Sequence, residues 1–226
     1  MKNIAVILLA GDSTRFKSDS PKQLYKVDGK PLFYYSVKPF VESKLIDSVI
    51  VVTKKEYFEI VQKYFRSVIL IEGGATRHES VKTAIFYLKD KCENNDNVFV
   101  HDGARLFLDD KHLQALIYAL DVNDAATLAL PSEDTLGFVS HGMLTEIPDR
   151  ARYFKIQTPQ AFKYKTIAKA HEVDNPDASD DAQLCLDMGV NVAIVEGSKR
   201  FNKVTTIEDI QMVEGYLKEQ KWANIM

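Results

Sequence analysis

Short apolar runs alternate along this chain with longer stretches of helical periodicity, and that alternation limits the possible folds more than any other feature. The strand-length runs are Ile4–Leu9, Ser48–Thr53, Val68–Ile71, Asn97–His101, Ala125–Leu130 and Asn191–Val195. Their interiors are apolar throughout, not at every second residue, as expected of strands buried on both faces of a parallel sheet. Helical periodicity occupies Pro31–Glu42, Glu56–Phe65, Arg77–Lys91, Asp110–Leu120, Lys165–Glu172, Ser179–Met188 and Ile207–Lys218. Pro31 suits the first turn of its helix, and Ser179 or Asp180 suits an N-cap. The order predicts an α/β fold, a Rossmann-like, doubly wound and mostly parallel sheet.

One segment breaks the pattern. Residues 132–152 hold two short alternating runs around Ser140-His141-Gly142, which reads as a β-hairpin arm protruding from the sheet. A lone ribbon is marginal in water, so an arm of this kind packs against something, and a partner subunit is a candidate. Without an internal repeat or a low-complexity linker, residues 1–226 are expected to form a single domain carrying that arm.

Composition closes off several classes. Hydrophobic residues make up 46% and charged residues 27%, enough for a real core, and the net charge of -3 advertises no nucleic-acid partner. Basic residues interleaved with aromatics, as single-stranded nucleic acid requires, are missing as well. The two cysteines, Cys92 and Cys185, lie far apart without a CxxC or His-rich companion. They fit a reducing compartment better than a disulfide framework or a zinc site. The first apolar run ends in Gly11-Asp12-Ser13-Thr14-Arg15 rather than a cleavage site, and it is too short to span a bilayer. A cytoplasmic protein with no membrane partner is expected.

The polar constellations fall at the ends of these runs. After the first strand comes Leu9-Ala10-Gly11-Asp12-Ser13-Thr14-Arg15, then Pro21-Lys22-Gln23. Open α/β sheets bind ligands at the carboxyl ends of their strands. There Gly11 permits close backbone approach, and Arg15 and Lys22 bring two cations to one mouth. Neither a GxGxxG fingerprint nor a Walker A ending is present, and taken alone the loop reads equally as a polar turn with solvated cations. Gly73-Gly74-Ala75-Thr76-Arg77-His78-Glu79-Ser80 is either an ordinary strand-to-helix turn or a place where backbone and Ser80 meet a base edge. In His101-Asp102-Gly103-Ala104-Arg105, Asp102 stands at a strand end where Mg²⁺ can be held with phosphate oxygens, or Asp102 and Arg105 simply pair or cap the next helix. His101 reads as a hydrogen-bonded structural histidine. Arg150 and Arg152 follow the hairpin and suit a phosphomonoester, ahead of Gln157-Thr158-Pro159-Gln160, an extended segment or turn. Asp180-Asp181 reads as a helix cap and dipole partner, and Lys203 as a late-chain cation. A nucleophile elbow is absent.

In register, these segments resemble the methylerythritol-phosphate cytidylyltransferase family. The family's opening AAG-x-G-x-R and later PKQ match Leu9 to Arg15 and Pro21-Lys22-Gln23, and its GG-x-x-R-x-x-S matches Gly73 to Ser80. Its HDAAR matches His101 to Arg105, its DR and TPQ-x-F match Asp149-Arg150 and Thr158 to Phe162, and its KVT matches Lys203-Val204-Thr205. The resemblance implies transfer of CMP from CTP to a sugar or polyol phosphate. Arg15 and Lys22 would be catalytic, and Ala10, Gly11, Gly74, Ser80 and Asp102 would bind nucleotide. Arg105, Thr135, Arg150, Thr158 and Lys203 would hold the acceptor phosphate. It further implies Mg²⁺ at Asp102 and a homodimer through the arm. Ribitol-phosphate cytidylyltransferases share much of this pattern, so the acceptor is either methylerythritol phosphate or a polyol phosphate. A nucleotide-binding regulatory protein without turnover is the alternative of another class. The sequence departs from the family pattern at Leu9, Ser13, Ala75, Gly103 and Leu106.

Overall fold

The computed structural model describes residues 1–11, 15–18, 20–172, 178 and 180–223. The chain runs through β1 (Asn3–Leu8), β2 (Lys26–Val27), β3 (Lys30–Pro31), α1 (Leu32–Glu42), β4 (Ser48–Thr53), α2 (Phe58–Tyr64), β5 (Ile69–Glu72) and α3 (Arg77–Leu88). It continues through β6 (Asn97–Asp102), α4 (Asp110–Ala119), β7 (Ala125–Pro131), β8 (Phe138–Ser140) and β9 (Met143–Glu146). The last elements are β10 (Phe154–Lys163), α5 (Tyr164–Ala170), α6 (Asp181–Asp187), β11 (Ala193–Glu196) and α7 (Ile210–Ala223). The expected strands and helices all form, with ends shifted by a few residues. Pro31 stands at the N-cap of α1, one residue before the first turn. Asp180 caps α6 by accepting the Gln183 N–H, whereas Ser179 lies outside the described residues.

The main sheet has seven strands in the order β11-β7-β10-β6-β1-β4-β5. All pairings are parallel except those of β10, which runs antiparallel to both β6 and β7. Of the two readings of Thr158-Pro159 the extended one holds, and the segment belongs to a central strand, β10, that the apolar runs do not predict. Its pairing with β7 shifts register between Ile156 and Gln160, across the cis Thr158–Pro159 bond. A bulge of this kind accommodates a proline in a ladder and re-aims the side chain beside it.

Alternate residues of each strand feed opposite cores, as the two-residue repeat demands. Ala5, Ile7 and Leu9 pack with Phe33, Phe40, Val61 and Leu113 of α1, α2 and α4. Ile4 and Val6 pack with Val81, Ile85, Ile167 and Leu184 of α3, α5 and α6. A smaller third cluster joins Phe16, Leu32, Leu106, Val204 and Val213, and so anchors the segment just past Arg15 to α7. The expected hairpin is β8–β9, turned by His141 (φ 49°) and Gly142 (φ 79°). Positive φ at both central positions is the type I′ pattern that matches strand twist. Its Phe138, Val139, Met143 and Leu144 are exposed.

Gln160 shows how β10 positions α6. Its side chain is fully buried, accepting the Ala182 N–H (3.0 Å) and donating to Asp180 Oδ2 (2.9 Å). Gln160→Leu leaves the buried Ala182 N–H without its acceptor. The expected loss is about 1–3 kcal/mol of unfolding free energy in denaturant titration.

Candidate active site

A cleft of about 270 Å³ opens where β1 and β6 end, beside the turn after β5. Ala10, Gly11, Arg15, Lys22, Gly74, Ser80, Asp102 and Lys203 all border it. These side chains come from far apart in sequence and meet because β1 pairs with both β4 and β6. Asp12, Ser13 and Thr14 of the first loop lie outside the described residues.

The turn after β5 is built tightly. Thr76 caps α3 by accepting the Glu79 N–H, and the Glu79 carboxylate reaches back to the Ala75 N–H (2.7 Å). This is a variant of the reciprocal capping box. Gly73 lies so near β1 that an added Cβ would come 2.5 Å from the Ala10 Cβ and 3.0 Å from Ser80 Oγ. The turn therefore presses against the first loop, with Ser80 only 2% exposed at the junction.

Asp102 occupies the centre of the cleft's charge. Its Oδ1 takes Arg77 Nε at 3.1 Å and its Oδ2 takes Lys203 Nζ at 2.8 Å. Burial alone would raise this carboxyl, but the charges of Arg77 and Lys203 outweigh it and hold the group well below the usual carboxylate range. Lys203 arrives through a short antiparallel bridge with Arg105, continued by the Val204 N–H to the Ala104 carbonyl (2.8 Å). Lys22 Nζ donates to the Val204 carbonyl at 2.8 Å, tying the first loop to the same segment. Burial lowers the Lys22 ammonium from its ordinary value, and the nearby charges of Lys203 and Arg15 lower it further.

His101 explains how Asp102 is oriented. It is 1% exposed, with Nε2 3.0 Å from the Arg105 carbonyl and Nδ1 3.1 Å from Thr158 Oγ1. A carbonyl only accepts, so Nε2 carries the proton and Nδ1 accepts from the Thr158 hydroxyl. That hydroxyl then accepts the Asp102 N–H at 3.0 Å. Thr158 is thus turned inward behind Asp102, not onto the cleft wall. Arg105 is likewise directed away, donating to the Phe201 (2.9 Å) and Ile156 (3.2 Å) carbonyls. Arg150 donates to the Glu133 carbonyl (3.0 Å) and, with exposed Thr135, sits at the base of the arm rather than on this chain's cleft.

Two participants went unassigned in the sequence. Arg77 links Asp102 to Asp181, its terminal nitrogen 2.8 Å from Asp181 Oδ2, and buried His171 holds the other Asp181 oxygen at 3.0 Å. Asp181 is therefore more than a dipole partner. One signal was available: Arg77 is the first residue of α3, where the helix dipole disfavours a cation unless carboxylates compensate.

Among the described residues no group of three or more His, Cys, Asp or Glu side chains is arranged to hold a metal ion. Asp102 offers a single carboxylate, which suits Mg²⁺ only where phosphate oxygens and water complete the shell. No helix among the described residues is long and apolar enough to cross a membrane.

Burial pushes the His101 imidazole down from 6.5 to about 4. Between those values the unfolded chain binds a proton that the folded chain does not, so stability is full above the upper value and lost as pH falls toward the lower. In metal-free buffer, Tm should fall over this window by the equivalent of about 3 kcal/mol. His101→Gln should flatten that slope, and an unchanged slope would contradict the assignment. A second test concerns volume, because a Cβ on Gly103 would collide with Leu9 Cδ2 and lie 2.8 Å from the Leu8 carbonyl oxygen. Gly103→Ala should cost about 1–3 kcal/mol. Part of that cost should vanish in a Leu9→Ala background, so strictly additive losses in denaturant titration argue against this contact.

Residues 3–219 match the family model of 2-C-methyl-D-erythritol 4-phosphate cytidylyltransferase. A protein of that name from Thermosipho melanesiensis is 39% identical over 218 residues, spanning 93% of this chain and 96% of the relative. A crystal structure of 4-diphosphocytidyl-2C-methyl-D-erythritol synthase superposes with a TM-score of 0.84 at 28% identity, covering 96% of this chain and 98% of the other. The synthase from Anaerococcus prevotii gives 0.83 at 27% identity, with 96% of each chain covered. The chain belongs to the 2-C-methyl-D-erythritol 4-phosphate cytidylyltransferase family.

Proposed function

We propose that this chain transfers CMP from CTP to 2-C-methyl-D-erythritol 4-phosphate, releasing pyrophosphate in the synthesis of isoprenoid precursors. The observation that carries the reading is the cleft in which Arg15, Lys22 and Lys203 surround Asp102 at the carboxyl ends of β1 and β6. An oxygen of the acceptor phosphate attacks the α-phosphorus, a new P–O bond forms, and the bond to the β-phosphate oxygen breaks. That acceptor oxygen is already ionised at neutral pH, so the step needs no general base. Catalysis is alignment plus neutralisation of developing charge.

Arg15 and Lys22 neutralise the triphosphate, while Ala10, Gly11, Gly74 and Ser80 form the wall that receives the base and ribose. Lys203 exchanges Asp102 for a phosphate oxygen. Asp102 would hold Mg²⁺ together with phosphate oxygens, and the ion would supply charge neutralisation there. In this reading Arg105 and Thr158 serve the acceptor subsite from behind by fixing Asp102 and the Lys203 segment. Thr135 and Arg150 complete the acceptor site of a second copy, reached by the exposed arm in a homodimer. The chain works as a single nucleotidyltransferase domain in the cytoplasm.

Arg15→Ala and Lys22→Ala should each lower kcat/KM for CTP by about 10²–10³, with Tm little changed, in a pyrophosphate-release assay. Near-normal turnover in both would sink the reading. An acceptor panel separates the two acceptors: faster turnover with ribitol 5-phosphate than with methylerythritol phosphate would overturn the substrate proposed.

A further inference from the structure

We infer that Arg77 is a positioning residue for the transfer step, braced from behind by Asp181 and His171 so that Asp102 keeps one fixed orientation toward the cleft. The inference rests on the CMP-transfer reading above. Its starting point is the chain of contacts His171 Nε2–Asp181 Oδ1 (3.0 Å), Asp181 Oδ2–Arg77 (2.8 Å) and Arg77 Nε–Asp102 Oδ1 (3.1 Å). The contacts join α6, the end of α5, the first turn of α3 and the end of β6. One run of contacts thus ties four elements together behind Asp102.

A guanidinium suits this place because its nitrogens form a rigid planar fork. Nε and one terminal nitrogen engage carboxylates on separate elements at once, at a fixed spacing that the single nitrogen of a lysine on its flexible stem does not supply. The bracing carboxylate is deep, for Asp181 is 1% exposed and His171 3% exposed. Asp102 by contrast has its second oxygen on Lys203, whose side chain is 40% exposed at the cleft. When Lys203 leaves Asp102 for a substrate phosphate, Arg77 is the cation that stays. Asp102 then keeps its orientation, because its backbone N–H is also held by Thr158 and its Oδ1 by Arg77.

Asp181 borders no part of the cleft, and the contact that links it to the cleft is the one with Arg77. The test is a double-mutant cycle of Arg77→Lys and Asp181→Asn, measuring kcat, KM for CTP and Tm, assayed below each variant's melting transition. Each single variant should lower kcat about tenfold or more, with KM changed by less than about threefold. Misalignment by about 1 Å is enough for such losses. The double variant should be no slower than the worse single, because both changes release the same clamp. Asp181→Glu should restore part of kcat by returning the charge. Losses in kcat that multiply in the double variant, or a kcat within about twofold of wild type in either single, overturn the inference. Should Asp181→Asn fail to fold, Arg77→Lys decides alone, since it keeps the cation and loses only the fork. Absence of pyrophosphate release by the wild-type chain would instead sink the transfer reading itself.

Discussion

Keeping one carboxylate ionised and immobile at the end of a buried strand is the constraint on which the rest of this structure depends. Strand β6 delivers Asp102 to the floor of the cleft, where burial disfavours its charge. Two cations from distant parts of the chain reverse that preference, Arg77 from the turn after β5 and Lys203 from the segment before α7. Their arrival requires the short bridge between Arg105 and Lys203 and the tight packing of Gly73 against Ala10. The backbone of Asp102 is fixed separately, through Thr158 and a neutral His101. Much of the irregular structure near the cleft thus answers to a single charged group.

Strand β10 supplies that second support and is also where sequence patterning fails. Parallel strands announced themselves by continuous apolar interiors, and the helices between them by period and caps. Phe154–Lys163 has neither sign, since it contains Pro159 and several polar residues. Yet Gln157, Thr158, Gln160 and Lys163 are all buried. Each has partners that a linear reading does not contain: Gln157 bonds Ser198, Gln160 bonds α6, and Lys163 donates to Asn97. Buried polar groups are tolerated when fully paired, so tertiary context replaces hydrophobicity as the reason this strand is central. The hairpin, by contrast, was readable because its signal is local, a turn requiring positive φ at His141 and Gly142.

The site divides along the same line. Residues that face the cleft, such as Arg15, Lys22, Asp102 and Lys203, were legible because strand ends and loops are where such chemistry collects. Residues behind the cleft wall carry no such mark in the sequence. Thr158 reads as a hydroxyl for phosphate yet turns inward, and Asp181 reads as a helix cap and dipole partner yet is buried between Arg77 and His171. Spacing in sequence says which residues share an element, but not which of two faces a side chain takes once a bulge has re-aimed it. The paired departures at Leu9 and Gly103 belong to this class. As isolated substitutions they lack meaning, but in space the leucine fills the volume that a Cβ at 103 would need.

Like charges crowd the cleft around Asp102. Lys203 and Arg15 both lower the Lys22 ammonium, on top of the effect of its own burial. Folding thus holds cations closer than they would choose, with Asp102 as the partial counterweight. Asp102, with Asp181 behind Arg77, sets two carboxylates against the four basic side chains Arg15, Lys22, Arg77 and Lys203, so this cluster keeps an excess of positive charge after its internal pairing. A polyanion relieves that repulsion as it binds, and its charge is met by groups already in place rather than by solvent that must reorganise. The net charge of the whole chain, -3, conceals this entirely. The sign that matters for phosphate chemistry is local, and the fold creates it by bringing the first loop, the turn after β5 and the segment before α7 to one strand end.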